Sequence, residues 1–146
     1  MNKLKKTLLI MAALLLVFAM TACSVDPSDD GSDMKTITVE MNIDFPDADD
    51  EEFELDEYPA DIEDYEMQVE DGATVMQILE AFATQQNLDV VVDESSATVY
   101  VTSIGGVAAG GNTGWIYEIN DESVMEEAAK CVPANGDEIT WEFISF

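Results

Sequence analysis

Ile37, Val39, Met41, Ile43 and Phe45 are separated by Thr38, Glu40, Asn42 and Asp44. Apolar residues at every second position put one face of a strand against a core and the other toward solvent. Pro46 ends this run. Tyr65, Met67 and Val69 alternate in the same way with Glu66, Gln68 and Glu70, and Asp71-Gly72 follows as a turn signal. The period then changes. Val75, Ile78, Leu79 and Phe82 fall at i, i+3, i+4 and i+7, one apolar stripe along a helix. Thr74 with Gln77 three residues later forms a capping box, and Asn87 suits the helix end. Residues 90–92 read as a short buried strand and 98–102 as a firmer one. Five glycines between 103 and 114 predict a loop with unusual backbone freedom. Trp115, Tyr117 and Ile119 alternate with Ile116, Glu118 and Asn120, and Asn120-Asp121 turns the chain. Residues 124–132 read as a short helix or an irregular return. Asn135, Gly136 and Asp137 turn the chain again before Ile139, Trp141 and Phe143 alternate.

One helix cannot cover both faces of a sheet. The alternation leaves Thr38, Glu40, Gln68, Thr140 and Glu142 on an open face. The pattern therefore predicts an α+β fold: a β-grasp-like mixed sheet with one helix packed on one face. The folded domain is expected over residues 35–146, and no internal repeat interrupts it.

The chain ahead of that domain has a different character. Lys3, Lys5 and Lys6 precede an apolar run from Leu8 to Phe18, and Met20, Thr21 and Ala22 precede Cys23. Charge, apolar stretch and small residues in that order match a secretory signal over residues 1–22. A cysteine at the cut resembles the bacterial lipobox, whose cysteine is acylated. The competing readings are a cleaved signal without lipid and a membrane span, but a span needs about 20 apolar residues. Residues 23–34, rich in Ser, Asp, Gly and Pro, read as a flexible acidic tether. The expected location is the outer face of a bacterial cell membrane, held by lipid on Cys23.

Charge narrows the partners. No acidic residue lies ahead of Cys23, so the chain beyond it carries Lys35 and Lys130 against 32 acidic residues, a net −30. Two lysines cannot displace phosphate counterions, which excludes nucleic acid. An anionic bilayer repels such a domain, so the lipid must supply the attachment. There is no histidine, which removes the commonest general base and metal ligand. Cys131, among apolar neighbours, reads as a small buried hydrophobe. The densest acidic run, Asp47 to Glu52, lacks the spacing and central glycine of an EF-hand loop. Ser103 has no base at a telling spacing. No catalytic apparatus, resident cofactor or metal site is expected.

Three segments together carry a resemblance. They are Glu70-Asp-Gly-Ala-Thr-Val-Met-Gln-Ile-Leu79, Tyr100-Val-Thr-Ser-Ile-Gly-Gly106, and Gly114-Trp-Ile-Tyr-Glu-Ile-Asn120 followed by Asn135-Gly-Asp-Glu-Ile-Thr-Trp-Glu-Phe143. The chain resembles the transcobalamin-like C-terminal domain family over roughly residues 36–146. That resemblance implies a surface module able to recognise a small ligand, a corrinoid among them. It implies ligand contact at Thr102, Ser103, Ile104, Gly105 and Gly106, and at Trp115. In the carriers of that family the ligand lies between this domain and a large helical domain, to which no segment of this sequence corresponds.

Two functions follow as expectations. The first is a lipid-anchored, non-enzymatic lipoprotein with one domain that recognises a small ligand or a surface protein partner. The second is an acidic structural or adhesion module, calcium-associated, whose open face or sheet edge docks another protein.

Overall fold

The structure, a computed structural model, describes residues 35–46 and 58–146. The signal, Cys23, the tether and the acidic run at 47–52 lie outside the described residues.

Eight strands and one helix follow in order: β1 (Thr36–Asp44), β2 (Ile62–Glu70), α1 (Val75–Gln86), β3 (Val90–Asp93), β4 (Tyr100–Ile104), β5 (Val107–Ala108), β6 (Thr113–Ile119), β7 (Glu122–Ser123) and β8 (Glu138–Ser145). The strands divide between a five-stranded sheet, ordered β2-β1-β8-β6-β7, and a three-stranded sheet, β3-β4-β5. β1 and β8 run parallel with Met41 beside Ile139, and the other neighbours are antiparallel. The fold is the expected α+β, with the sheet mixed and the helix on one face.

The alternation explains the core. Ile37, Val39, Met41 and Ile43 of β1 are buried, as are Met67 and Val69 of β2 and Ile139, Trp141 and Phe143 of β8. Val75, Ile78, Leu79 and Phe82 bring the helix stripe down on them, with the Phe82 ring edge-on to Tyr65 at 5.2 Å. Burying these side chains stabilises the domain by about 1.5–3 kcal/mol for each large one.

The helix start is satisfied on every side. The Gln77 amide donates to Thr74 Oγ1 at 3.3 Å, and the Thr74 amide donates to Gln77 Oε1 at 2.9 Å. The amides of Val75 and Met76 donate to the carbonyls of Cys131 and Ala128, both at 2.9 Å. Residues 124–132 are thus an irregular return whose carbonyls cap α1. Asn87 closes the other end in the left-handed conformation, φ 53°.

Two details differ from the sequence pattern. The glycine-rich stretch is not one loop: β4 continues to Ile104, β5 follows a tight turn, and β6 begins at Thr113. β4 also starts two residues later than the alternation suggests. Ser95 donates its amide to Asp93 Oδ1, and Ser96 donates its hydroxyl to the Thr98 carbonyl, so this stretch closes a turn. Among the described residues, no helix is long and apolar enough to cross a membrane.

Candidate functional site

β4 carries Thr102, Ser103 and Ile104, and Gly105 and Gly106 make the turn into β5 with φ of 59° and 84°. Thr102 Oγ1 donates to the Val91 carbonyl at 3.1 Å. Ser103 and Ile104 are buried. Trp115, on β6, is also buried and donates its Nε1–H to the Val107 carbonyl at 2.9 Å. Its ring stands edge-on to Phe45 at 5.7 Å and to Phe143 at 5.2 Å. The structure therefore gathers the six residues around one hairpin and the indole that anchors it. Ile104 and Trp115 belong to the core and Ser103 is buried, while Gly106 is exposed.

Between the start of β4 in one sheet and β6 in the other lies a cleft of about 130 Å³, which Trp115 alone of the six residues lines. Val99, Tyr100, Val101, Trp115, Tyr117 and Trp141 line it, and Val124 and Ala128 close it from the irregular return. Its mouth is mixed: Tyr100 is 59% exposed, and Glu126 and Glu127 of the return also line the cleft. Trp141 is 2% exposed, and its buried Nε1–H has no acceptor among the described residues. A buried donor without a partner costs about 1–3 kcal/mol. Tyr117 donates its hydroxyl to the Glu126 carbonyl at 2.7 Å. Burial pushes its phenol well above the ordinary tyrosine range, with the Cys131 thiol beside it adding to the shift. A dry apolar cavity of roughly this size, about 150 Å³, holds benzene. The chemistry offered is shape and apolar surface, with two carboxylates at the rim.

On the opposite face of the five-stranded sheet, an open groove of about 430 Å³ gathers Asp44, Glu63, Asp64, Glu118, Glu138 and Glu142 around Asn42. Asn42 is buried although the alternation puts it on the open face. Its Nδ2 donates to Glu138 Oε1 at 2.6 Å and to Thr140 Oγ1 at 3.3 Å, and its Oδ1 accepts from the Asp64 amide at 2.8 Å. Among the described residues, no group of three or more acidic or thiol side chains is arranged to hold a metal ion.

Burial, then the neighbouring carboxylates Asp61, Glu63, Glu118 and Glu138, raises the carboxyl of Asp44 above its usual range. Burial, then Glu118 and Asp44, does the same for Glu142. Raised carboxyls mean that the folded chain retains protons the unfolded chain has released. Their contribution is therefore lost as pH rises from the ordinary carboxylate range of about 4 through the raised values, and regained on acidification. Asp93, lowered by its hydrogen bonds to Ser95, acts in the opposite sense but is fully exposed. The thermal midpoint should be higher at pH 5 than at pH 7, and added salt should raise it at pH 7. A midpoint that falls between pH 7 and pH 5 would contradict this balance.

Three comparisons bear on identity. The family described as Domain of unknown function (DUF4430) matches residues 72–145. No curated protein matches the sequence. Among solved structures, haptocorrin in complex with Cbi superposes with a TM-score of 0.62 at 17% identity, covering 84% of this chain. The chain spans 28% of the length of that haptocorrin. A Ruminococcus gnavus ATCC 29149 protein, for which metal binding has been suggested, superposes with a TM-score of 0.45 at 16% identity, over 77% of this chain and 98% of that one. The haptocorrin likeness is one of fold, in agreement with the transcobalamin-like resemblance of the sequence. The second likeness is too slight to carry an argument.

Proposed function

From the premise that the chain belongs to the DUF4430 family, we propose a non-enzymatic recognition domain that takes a compact apolar group into the cleft between β4 and β6. The observation that carries this is the cleft itself: aromatic walls of Trp115, Tyr117 and Trp141, exposed Tyr100 at its mouth, and Glu126 and Glu127 beside them. Small-molecule sites combine apolar lining with a few polar groups in this way. The fold shared with haptocorrin, which is known in complex with Cbi, makes a corrinoid the first ligand to test. At about 130 Å³ the cleft admits only one edge of such a molecule. The rest would lie across the exposed Tyr100. Lipid on Cys23 would hold this domain at the outer face of a bacterial membrane. Mass spectrometry of the mature N-terminus reads that directly, and an unmodified start at another residue removes the anchor.

Equilibrium dialysis with cobalamin, and NMR titration with benzene-sized apolar compounds, test the cleft. Val99→Phe, which fills it, should abolish binding. Tyr100→Ala, at the exposed mouth, should weaken it about fivefold, in line with about 1 kcal/mol of lost apolar contact. Binding that survives Val99→Phe, or no binding of either probe at millimolar concentration, would end the proposal.

A further inference from the structure

β2 is the outermost strand of its sheet among the described residues. The amide of Asp71 donates to the Lys35 carbonyl at 2.8 Å. In an antiparallel pair, residues alternate between facing the neighbour and facing away. Val69 and Met67 therefore face β1 with Asp71, while the backbone groups of Glu66, Gln68 and Glu70 face outward. The Glu70 carbonyl accepts from the Ala73 amide at 3.0 Å, closing the turn. The Gln68 N–H and C=O lie at the centre of the row that remains.

Alongside this edge runs a groove of about 440 Å³ between β2 and α1. Buried Met67, Val69 and Ile78 form its floor, Ala81 keeps the helix wall low, and Glu70, Asp71, Gln77 and Gln85 give it a polar rim. One end is marked by Tyr65, whose hydroxyl donates to Gln85 Oε1 at 3.0 Å. The other is marked by the pair of Lys35 with Asp71 at 2.7 Å. An edge strand beside a helix is the geometry in which a peptide adds as a further strand.

We propose that this edge binds an extended segment of a partner protein whose residues alternate between cationic and apolar. Its apolar side chains would enter the groove over Met67 and Val69. Its lysines or arginines would share the outer face with Glu66, Gln68 and Glu70, all exposed. Opposite charges facing each other across strands stabilise the pair, and like charges destabilise it. A second copy of this chain is excluded as the occupant on that ground, because pairing β2 with β2 sets this acidic row against itself. The carboxylates thus protect the edge from self-association and select a basic strand. This surface lies apart from the cleft, and neither proposal depends on the other.

The probe is an acetylated, amidated hexapeptide alternating lysine and valine, titrated into the protein by NMR and calorimetry. The expected result is slowed hydrogen exchange at the Gln68 and Glu70 amides, with affinity falling steeply as salt is raised. The same peptide with glutamate for lysine should not bind. Gln68→Pro removes an outward N–H without breaking a bond to β1, and should weaken binding about tenfold. Ala81→Arg places bulk and like charge in the groove, leaves the ladder untouched, and should weaken binding at least as much. No binding at millimolar peptide, affinity unchanged in both variants, or shifts that map to Thr140 and Glu142 on the acidic face would each overturn the proposal.

Discussion

Trp115→Ala should lower the unfolding free energy by about 3–5 kcal/mol, a large share of the roughly 5–15 kcal/mol that holds a domain together. The indole is buried between the edges of Phe45 and Phe143, and it ties β6 to β5 through its bond to the Val107 carbonyl. Alanine removes both the packing and that bond. Trp115→Phe restores most of the volume but not the donor, so it should recover all but about 0.5–1.5 kcal/mol, the net worth of one hydrogen bond. Urea unfolding with an unchanged slope reads both differences. A Trp115→Ala protein within about 1 kcal/mol of the parent would show that the ring is not part of the core. The order of the two variants also matters for function. A loss of ligand binding in Trp115→Ala would report unfolding as readily as a lost contact, whereas Tyr100 at the mouth can be removed without that ambiguity.

The second large effect separates two adjacent glycines. Both Gly105 and Gly106 have positive φ, a conformation that costs other residues about 1 kcal/mol or more. A Cβ on Gly106 would meet open space. A Cβ on Gly105 would stand 3.0 Å from Phe45 Cε1 and Cζ and 3.2 Å from Leu88 Cδ1. Gly106→Ala should therefore show the backbone cost alone, about 1 kcal/mol. Gly105→Ala adds overpacking against the Phe45 ring and should reach about 2–5 kcal/mol. The difference between the two measures the close approach of the hairpin to Phe45. Equal losses would mean that Phe45 moves aside freely.

The strands and the helix were legible because each obeys one period. The capping box at Thr74 and Gln77 and the left-handed Asn87 stand where the side-chain chemistry requires them. The division into two sheets was not legible, since alternation says which face is buried but not which strand is the neighbour. β5 and β7, two residues each, are too short to show a period. Asn42 shows the limit from the other side. Its polarity put it on the open face, but three hydrogen bonds to Glu138, Thr140 and Asp64 let it be buried there. The cleft was hidden for a related reason. Trp141 reads as core, and it is core. The space beside it depends on how far β4 stands from β6, which no local pattern encodes. The segment 124–132, ambiguous as sequence, gains its shape from the helix end it caps.

The parallel pairing of β1 with β8 sets the order in which the molecule can form. Glu40 stands beside Glu138 and Asp44 beside Glu142, so the centre of the large sheet joins the first and last strands. Almost the whole domain must exist before that ladder can close, and the intervening chain is a long loop whose closure is entropically unfavourable. Until residue 138 has been made, β1 and β6 each lack the strand that belongs between them. A chain growing from its N-terminus thus stays open along its middle for nearly the whole of its synthesis, and a chain that ends before β8 cannot join β1 to β6.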